Sequence, residues 1–162
     1  IRYAELATTL TMTLAGKTTQ PTIDLDRRNG SFIKYSLPFR KVLIAEDNLI
    51  NQDVMKAYVE KLGVNATIVG SGKEALAACE IEDYDLILMD IEMPGMDGIE
   101  ATQQIRQLEN PREARIPILA MTAHAMRGDR EKYLDAGMDG YISKPIRFAD
   151  LTAALGDVAR SS

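Results

Sequence analysis

From Lys41 onward, short runs of consecutive apolar residues alternate with longer segments in which apolar residues recur at helical spacing. The runs predict strands over Val42–Ala45, Ala66–Val69, Asp85–Met89, Ile116–Met121 and Gly140–Ile142. The periodic segments between them predict helices near 50–62, 72–81, 98–108, 125–136 and 147–159, each bounded by Gly, Pro, Asn or Asp. Leu86-Ile87-Leu88-Met89 has no polar face, which suits a parallel sheet covered by helices on both sides. Five βα units therefore predict a doubly wound α/β domain over residues 41–160, a complete domain in length.

The first forty residues break the pattern, and an internal comparison suggests why. Ile1-Arg2-Tyr3-Ala4-Glu5-Leu6-Ala7-Thr8-Thr9-Leu10 recurs as Ile146-Arg147-Phe148-Ala149-Asp150-Leu151-Thr152-Ala153-Ala154-Leu155, with five of the ten positions identical and Tyr3/Phe148 and Glu5/Asp150 conservative. The expected organisation is the last helix of a preceding, truncated copy of the domain over 1–15, a linker over 16–40 and one domain over 41–160. Within the linker, Thr22–Leu25 and Phe32–Tyr35 flank Arg28-Asn29-Gly30-Ser31, a hairpin signal that a plain tether would fit equally well.

Composition narrows the setting. The chain has 162 residues, 46% apolar and 27% charged, with a formal net charge of −5 and a single cysteine, Cys79. One cysteine excludes an internal disulfide framework and a multi-cysteine metal site. No run approaches the length of a spanning helix and no secretory signal opens the chain, so a cytoplasmic setting is expected, compatible with a membrane-anchored parent. Residues 1–40 carry six Lys/Arg against three Asp/Glu, whereas 41–162 carry thirteen against twenty-one. The acidic part argues against nucleic-acid binding, which needs clustered positive charge.

Ligands of a doubly wound sheet bind outside the carboxyl ends of its strands. Glu46 and Asp47 follow the first predicted strand, Asp90 the third, Thr122 the fourth, and Lys144 with Pro145 the fifth. Three converging carboxylates repel one another, and their hard oxygens suit Mg²⁺, which takes few protein ligands and favours a phosphate oxygen as another. Asp90 precedes the loop Ile91-Glu92-Met93-Pro94-Gly95-Met96-Asp97-Gly98, which leaves its oxygens room to serve as a ligand or as a nucleophile toward phosphorus. Lys144 can pair with Asp90 at rest or with a phosphoryl oxygen afterwards, and Thr122 can donate to another such oxygen. The residues alone leave a second chemistry open: a Mg²⁺-dependent phosphotransfer or nucleic-acid cleavage enzyme built on Glu46, Asp90 and Glu92. Thr122 and Lys144-Pro145 at their strand ends argue against it. The complete site disfavours a non-phosphorylated adaptor.

These residues resemble the receiver domain of two-component response regulators, and the surrounding strings make the match specific. Val42-Leu43-Ile44-Ala45-Glu46-Asp47-Asn48 with Asn51-Gln52 resembles the family's acidic opening, and Asp85 through Gly98 its phosphoacceptor segment. Ala120-Met121-Thr122-Ala123-His124-Ala125 is similar to its switch-threonine segment and Ser143-Lys144-Pro145 to its lysine–proline turn. The detailed wording is similar to receivers fused to hybrid sensor histidine kinases, and the repeated helix then implies tandem receivers.

The resemblance implies a flavodoxin-like (βα)5 fold with strand order 2-1-3-4-5. It implies that Asp90 accepts phosphate from a histidine kinase or histidine phosphotransfer domain. Asp47, Asp90 and the backbone carbonyl of Glu92 would bind Mg²⁺, with Glu46 acting through water. Thr122 and Lys144 would hold the phosphoryl group, and Tyr141 matches the switch aromatic that turns inward on activation. Phosphorylation then biases a surface of the fourth helix, fifth strand and fifth helix, which is also the candidate face for a homodimer. Such a module catalyses its own phosphorylation and dephosphorylation and turns over no metabolite. Glu92 and His124 fall at positions that in this family line the water approach to the phosphoryl group.

Several residues read more plainly. His124 lacks the partners of a phosphodonor or metal ligand and belongs on the site rim. Cys79, Met89, Met93 and Met96 read as packing or loop residues. Gly16-Lys17-Thr18 lacks the first glycine and the preceding strand of a phosphate loop, and Asn29-Gly30-Ser31 matches a glycosylation sequon by chance.

Overall fold

The computed structural model describes residues 23–25, 33–35, 37–110 and 115–161. Strands β1 (Ile23–Leu25) and β2 (Ile33–Tyr35) pair antiparallel in a two-stranded sheet, with Ile23 opposite Tyr35 and Leu25 opposite Ile33. The repeat over residues 1–10 lies outside the described residues.

The main sheet holds β3 (Lys41–Ala45), β4 (Asn65–Val69), β5 (Leu86–Asp90), β6 (Ile118–Thr122) and β7 (Gly140–Ser143). All its pairings are parallel and the order is β4-β3-β5-β6-β7, which is 2-1-3-4-5 counted within this sheet. Helices α1 (Leu49–Lys61), α2 (Gly72–Ile81), α3 (Gly98–Arg106), α4 (Arg127–Asp135) and α5 (Phe148–Ser161) connect and follow the strands.

Strand periodicity divides the core in two. Val42, Ile44, Leu86, Leu88, Leu119 and Met121 pack with Met55 and Val59 of α1 and Leu151 and Leu155 of α5. Their neighbours Leu43, Ala45, Ile87, Met89, Ile118 and Ala120 pack with Ala75 and Cys79 of α2 and Ala101 and Ile105 of α3. Leu86 through Met89 of β5 are buried, as their unbroken apolar run predicts, and so is Asp90 at the strand's end. Cutting one of these leucines or isoleucines back to alanine would cost about 2–5 kcal/mol, a large share of a small domain's stability.

Element ends follow local chemistry. Asn48 caps α1 by accepting from the Ile50 and Asn51 amides, Ser71 caps α2 through the Glu74 amide, and Asp97 caps α3 through the Glu100 amide. Asp85, predicted to open the third strand, instead sits before it and accepts from the Arg40 and Lys41 amides at 2.8 and 3.0 Å. Ile116 and Pro117 likewise precede β6, although the Pro117 carbonyl accepts from the Ile87 amide at 2.9 Å. A guanidinium ties the amino end of β6 to the turn before β7: Arg106 donates to the carbonyls of Gly137 and Ile116 and pairs with Asp139 at 3.0 Å. Asp139 also accepts from the Ile118 amide at 2.8 Å.

A cavity of about 720 Å³ lies between α4, β7 and α5. Tyr133, Leu134 and Tyr141 line it, and so does the last turn of α5 through Val158 and Ser161, together with Arg115 and Pro117 ahead of β6.

Candidate functional site

Parallel register brings the chemistry to one end of the sheet. Ala45 stands opposite Met89, Asp90 opposite Met121, and Thr122 opposite Ser143. Asp90 and Thr122 are the last residues of β5 and β6, one position further inside their strands than the sequence predicts. Glu46, Asp47 and Lys144 directly follow β3 and β7. The loop after β5 folds back so closely that a Cβ on Gly98 would lie 2.2 Å from the Asp90 carbonyl oxygen. Only glycine fits there, and Gly95 at φ +81° supplies the turn.

Carboxylate oxygens of Glu46, Asp47 and Asp90 lie within 4.8 Å of one another. Glu46 and Asp90 are each 1% exposed, whereas Asp47 is open to solvent. The Lys144 ammonium bridges the two buried groups, 2.9 Å from Glu46 Oε2 and 3.0 Å from Asp90 Oδ2. Glu46 is held by the Asn48 amide at Oε1 (3.1 Å) and by Gln52, which donates to its backbone carbonyl. Its other oxygen, Oε2, is buried and faces the Lys144 ammonium. The Glu92 amide donates to Asp90 Oδ1 at 3.1 Å.

The electrostatics follow from this crowding. Burial pushes the Asp90 carboxyl up to about 6; the hydrogen bond from Lys144 opposes the rise and the Glu46 charge adds to it. For Lys144, burial works against the ammonium, but the hydrogen bonds to Glu46 and Asp90 outweigh it and raise the group above its ordinary value. The site thus holds an excess of buried negative charge that a single lysine only partly compensates. Three converging acids with one lysine between two of them fit a hard divalent cation of few protein ligands.

The remaining predicted residues separate. Thr122 is 1% exposed, and its hydroxyl is engaged with the His124 backbone and with Tyr133. Tyr141 is half-buried on β7 and lines the cavity. His124 is exposed, its Nε2 3.3 Å from Glu92 Oε1 at the rim. The Glu92 side chain is therefore turned to His124, which leaves the backbone, not the carboxylate, as its contribution at Asp90. Sequence reasoning missed Tyr133: in the sequence it is one more aromatic at a helical spacing, and nothing there pairs it with Thr122.

Comparison with known proteins places these features in a family. Residues 42–156 match the family described as response regulator receiver domain. Hybrid signal transduction histidine kinase I of Dictyostelium discoideum is 48% identical over 112 residues, covering 66% of this chain and 6% of that protein. The chain thus spans a small fraction of the curated relatives it matches. Among solved structures, the receiver domain of sensor histidine kinase PA1611 from Pseudomonas aeruginosa is 42% identical with a TM-score of 0.68, covering 74% of this chain and 97% of that one. That crystal holds a magnesium ion coordinated in its active site cleft. The receiver domain of Ssk1 from Saccharomyces cerevisiae, crystallised with the histidine phosphotransfer protein Ypd1, is 31% identical with a TM-score of 0.69, covering 74% and 88%.

Proposed function

The chain belongs to the response regulator receiver domain family, and on that premise we propose that Asp90 accepts a phosphoryl group from a phosphohistidine of a partner protein. An Asp90 carboxylate oxygen attacks phosphorus in line while the P–N bond to the donor imidazole breaks. The electron pair of that bond returns to the ring nitrogen. Asp47, Asp90 and the Glu92 carbonyl would hold Mg²⁺, with Glu46 acting through water; bound there, the ion neutralises charge on the phosphoryl oxygens. Lys144 is free to leave Asp90 for a phosphoryl oxygen as the carboxylate becomes an acyl phosphate, keeping Glu46 as its second partner. Thr122 turns its hydroxyl inward to another oxygen, and Tyr141 follows into the space it vacates.

The observation that carries this reading is the bridge of Lys144 between Glu46 and Asp90, with the Asp47 carboxylate open to solvent beside them. It supplies an acceptor, a cation for the incoming oxygens and vacant ligand capacity in one place. The Mg²⁺-dependent phosphotransfer or nucleic-acid cleavage enzyme built on Glu46, Asp90 and Glu92 is not favoured, because the Glu92 carboxylate faces His124 and Lys144 spans the other two. Incubation with acetyl phosphate and Mg²⁺ tests the proposal. A mass gain of one phosphoryl group is expected on Asp90 and is absent from Asp90→Asn; no gain on the unaltered chain overturns the reading.

The donor fits a histidine kinase or histidine phosphotransfer domain, as the crystallised Ypd1–Ssk1 receiver pair supports. Its docking face is the start of α1, where Leu49 and Ile50, past the Asn48 cap that follows the acidic pair, are 73% and 74% exposed. Asp90 is sunk at the base of the site, so a donor imidazole reaches it only if the donor protein packs on this rim. The parent is a hybrid histidine kinase with tandem receivers, of which residues 41–160 form one. The match of residues 1–10 to 146–155 supports the tandem arrangement.

A further inference from the structure

We propose that Tyr133 is a positioning residue that holds the Thr122 hydroxyl in its resting orientation and so sets how readily the domain switches. The inference rests on the receiver reading above and adds a residue to it.

Tyr133 lies on α4 with 4% of its surface exposed. Its hydroxyl donates to the His124 carbonyl at 2.9 Å and lies 2.8 Å from Thr122 Oγ1. Thr122 Oγ1 accepts from the His124 amide at 3.0 Å and is also 3.0 Å from the His124 carbonyl. A threonine hydroxyl offers one proton and two lone pairs. The His124 amide takes one lone pair, and the proton goes either to Tyr133 or to the His124 carbonyl. None of these partners is Asp90 or Lys144. The hydroxyl that should meet a phosphoryl oxygen is therefore committed elsewhere, inside a buried cluster.

Tyr133 keeps the His124 carbonyl whichever way Thr122 points, so its contact with Thr122 is the bond that differs between the two states. The same ring walls the cavity that Tyr141 also lines. Tyr133 thus links the hydroxyl at the acceptor end to the space beside the residue proposed to move with it. One buried neutral hydrogen bond present in the resting state alone corresponds to a bias of about fivefold.

The test uses the full chain with Mg²⁺ and beryllium fluoride as a mimic of the phosphoryl group. Tyr133→Phe keeps the ring and deletes the hydroxyl, and it is expected to bind the mimic about fivefold more tightly. The Thr122 methyl resonance of the unliganded variant should move toward its position in the mimic-bound protein. In a Thr122→Ala background the same tyrosine substitution should leave mimic affinity unchanged, because the residue acts through Thr122. Unchanged affinity in the single variant overturns the proposal, as does an equal gain in both backgrounds. A chain that binds the mimic in neither form and takes no phosphoryl group fails the receiver reading itself, and this inference with it.

Discussion

Asp90 is where function and stability conflict most directly. Burial raises its carboxyl from the ordinary 3.8 to about 6, with Lys144 opposing and Glu46 reinforcing the rise. A carboxyl whose folded-state pKa exceeds its unfolded value favours the protonated form in the fold. The stabilisation it contributes is complete below the unfolded value and is lost as pH rises through about 6. Near neutral pH the ionised group therefore costs the metal-free domain up to about 3 kcal/mol. Asp90→Asn should melt at higher temperature than the unaltered chain near neutral pH without divalent ions, and the gap should close as pH falls toward 4. Melting curves across that range check this; parallel curves at every pH would show that the ionised acid is not the source of the cost. Added Mg²⁺ should narrow the same gap, because the cation compensates the charge that burial opposes.

At the scale of elements, the sheet and its covering helices were readable because the strands carry short apolar runs and three of the helices open at a recognisable cap. Asn48, Ser71 and Asp97 mark three helix starts in sequence and in structure alike. Strand ends were less legible, since a polar residue at a strand terminus reads as loop. Asp90 and Thr122 are paired in the sheet through neighbours across the strand, which no local pattern reveals. Contacts of high sequence separation were invisible for the same reason: Arg106 to Asp139, and Thr122 to Tyr133. Exposure was hidden too, because Leu49 and Ile50 carry the residue types of a core. If α1 presents them to a donor protein, Ile50→Glu should slow phosphotransfer from a phosphohistidine protein at least tenfold, a loss of about 1.4 kcal/mol at the encounter surface. Phosphorylation by acetyl phosphate should be unaffected. Equal slowing with both donors would show that the substitution disturbs the site and not the docking.

For the whole molecule, the internal repeat makes a sharp statement about the parent. Ile146 is preceded by Lys144 and Pro145, so if residues 1–10 are the counterpart of 146–155 in a second receiver, Lys-Pro should stand immediately before Ile1 in the parent. Sequencing the parent transcript checks this, and any other dipeptide there argues against tandem receivers. The main domain itself has a polarity that bears on how such parents arise. β3 starts at the amino edge of the sheet, and the last turn of α5 comes back beside Arg115 and Pro117, which lead into the amino end of β6. The backbone thus enters and leaves on the side away from Glu46, Asp90, Thr122 and Lys144. In genetic terms, recombination that joins new coding sequence at either boundary of this domain lands far from the chemistry, so the module can be shuffled between proteins without redesign of its site.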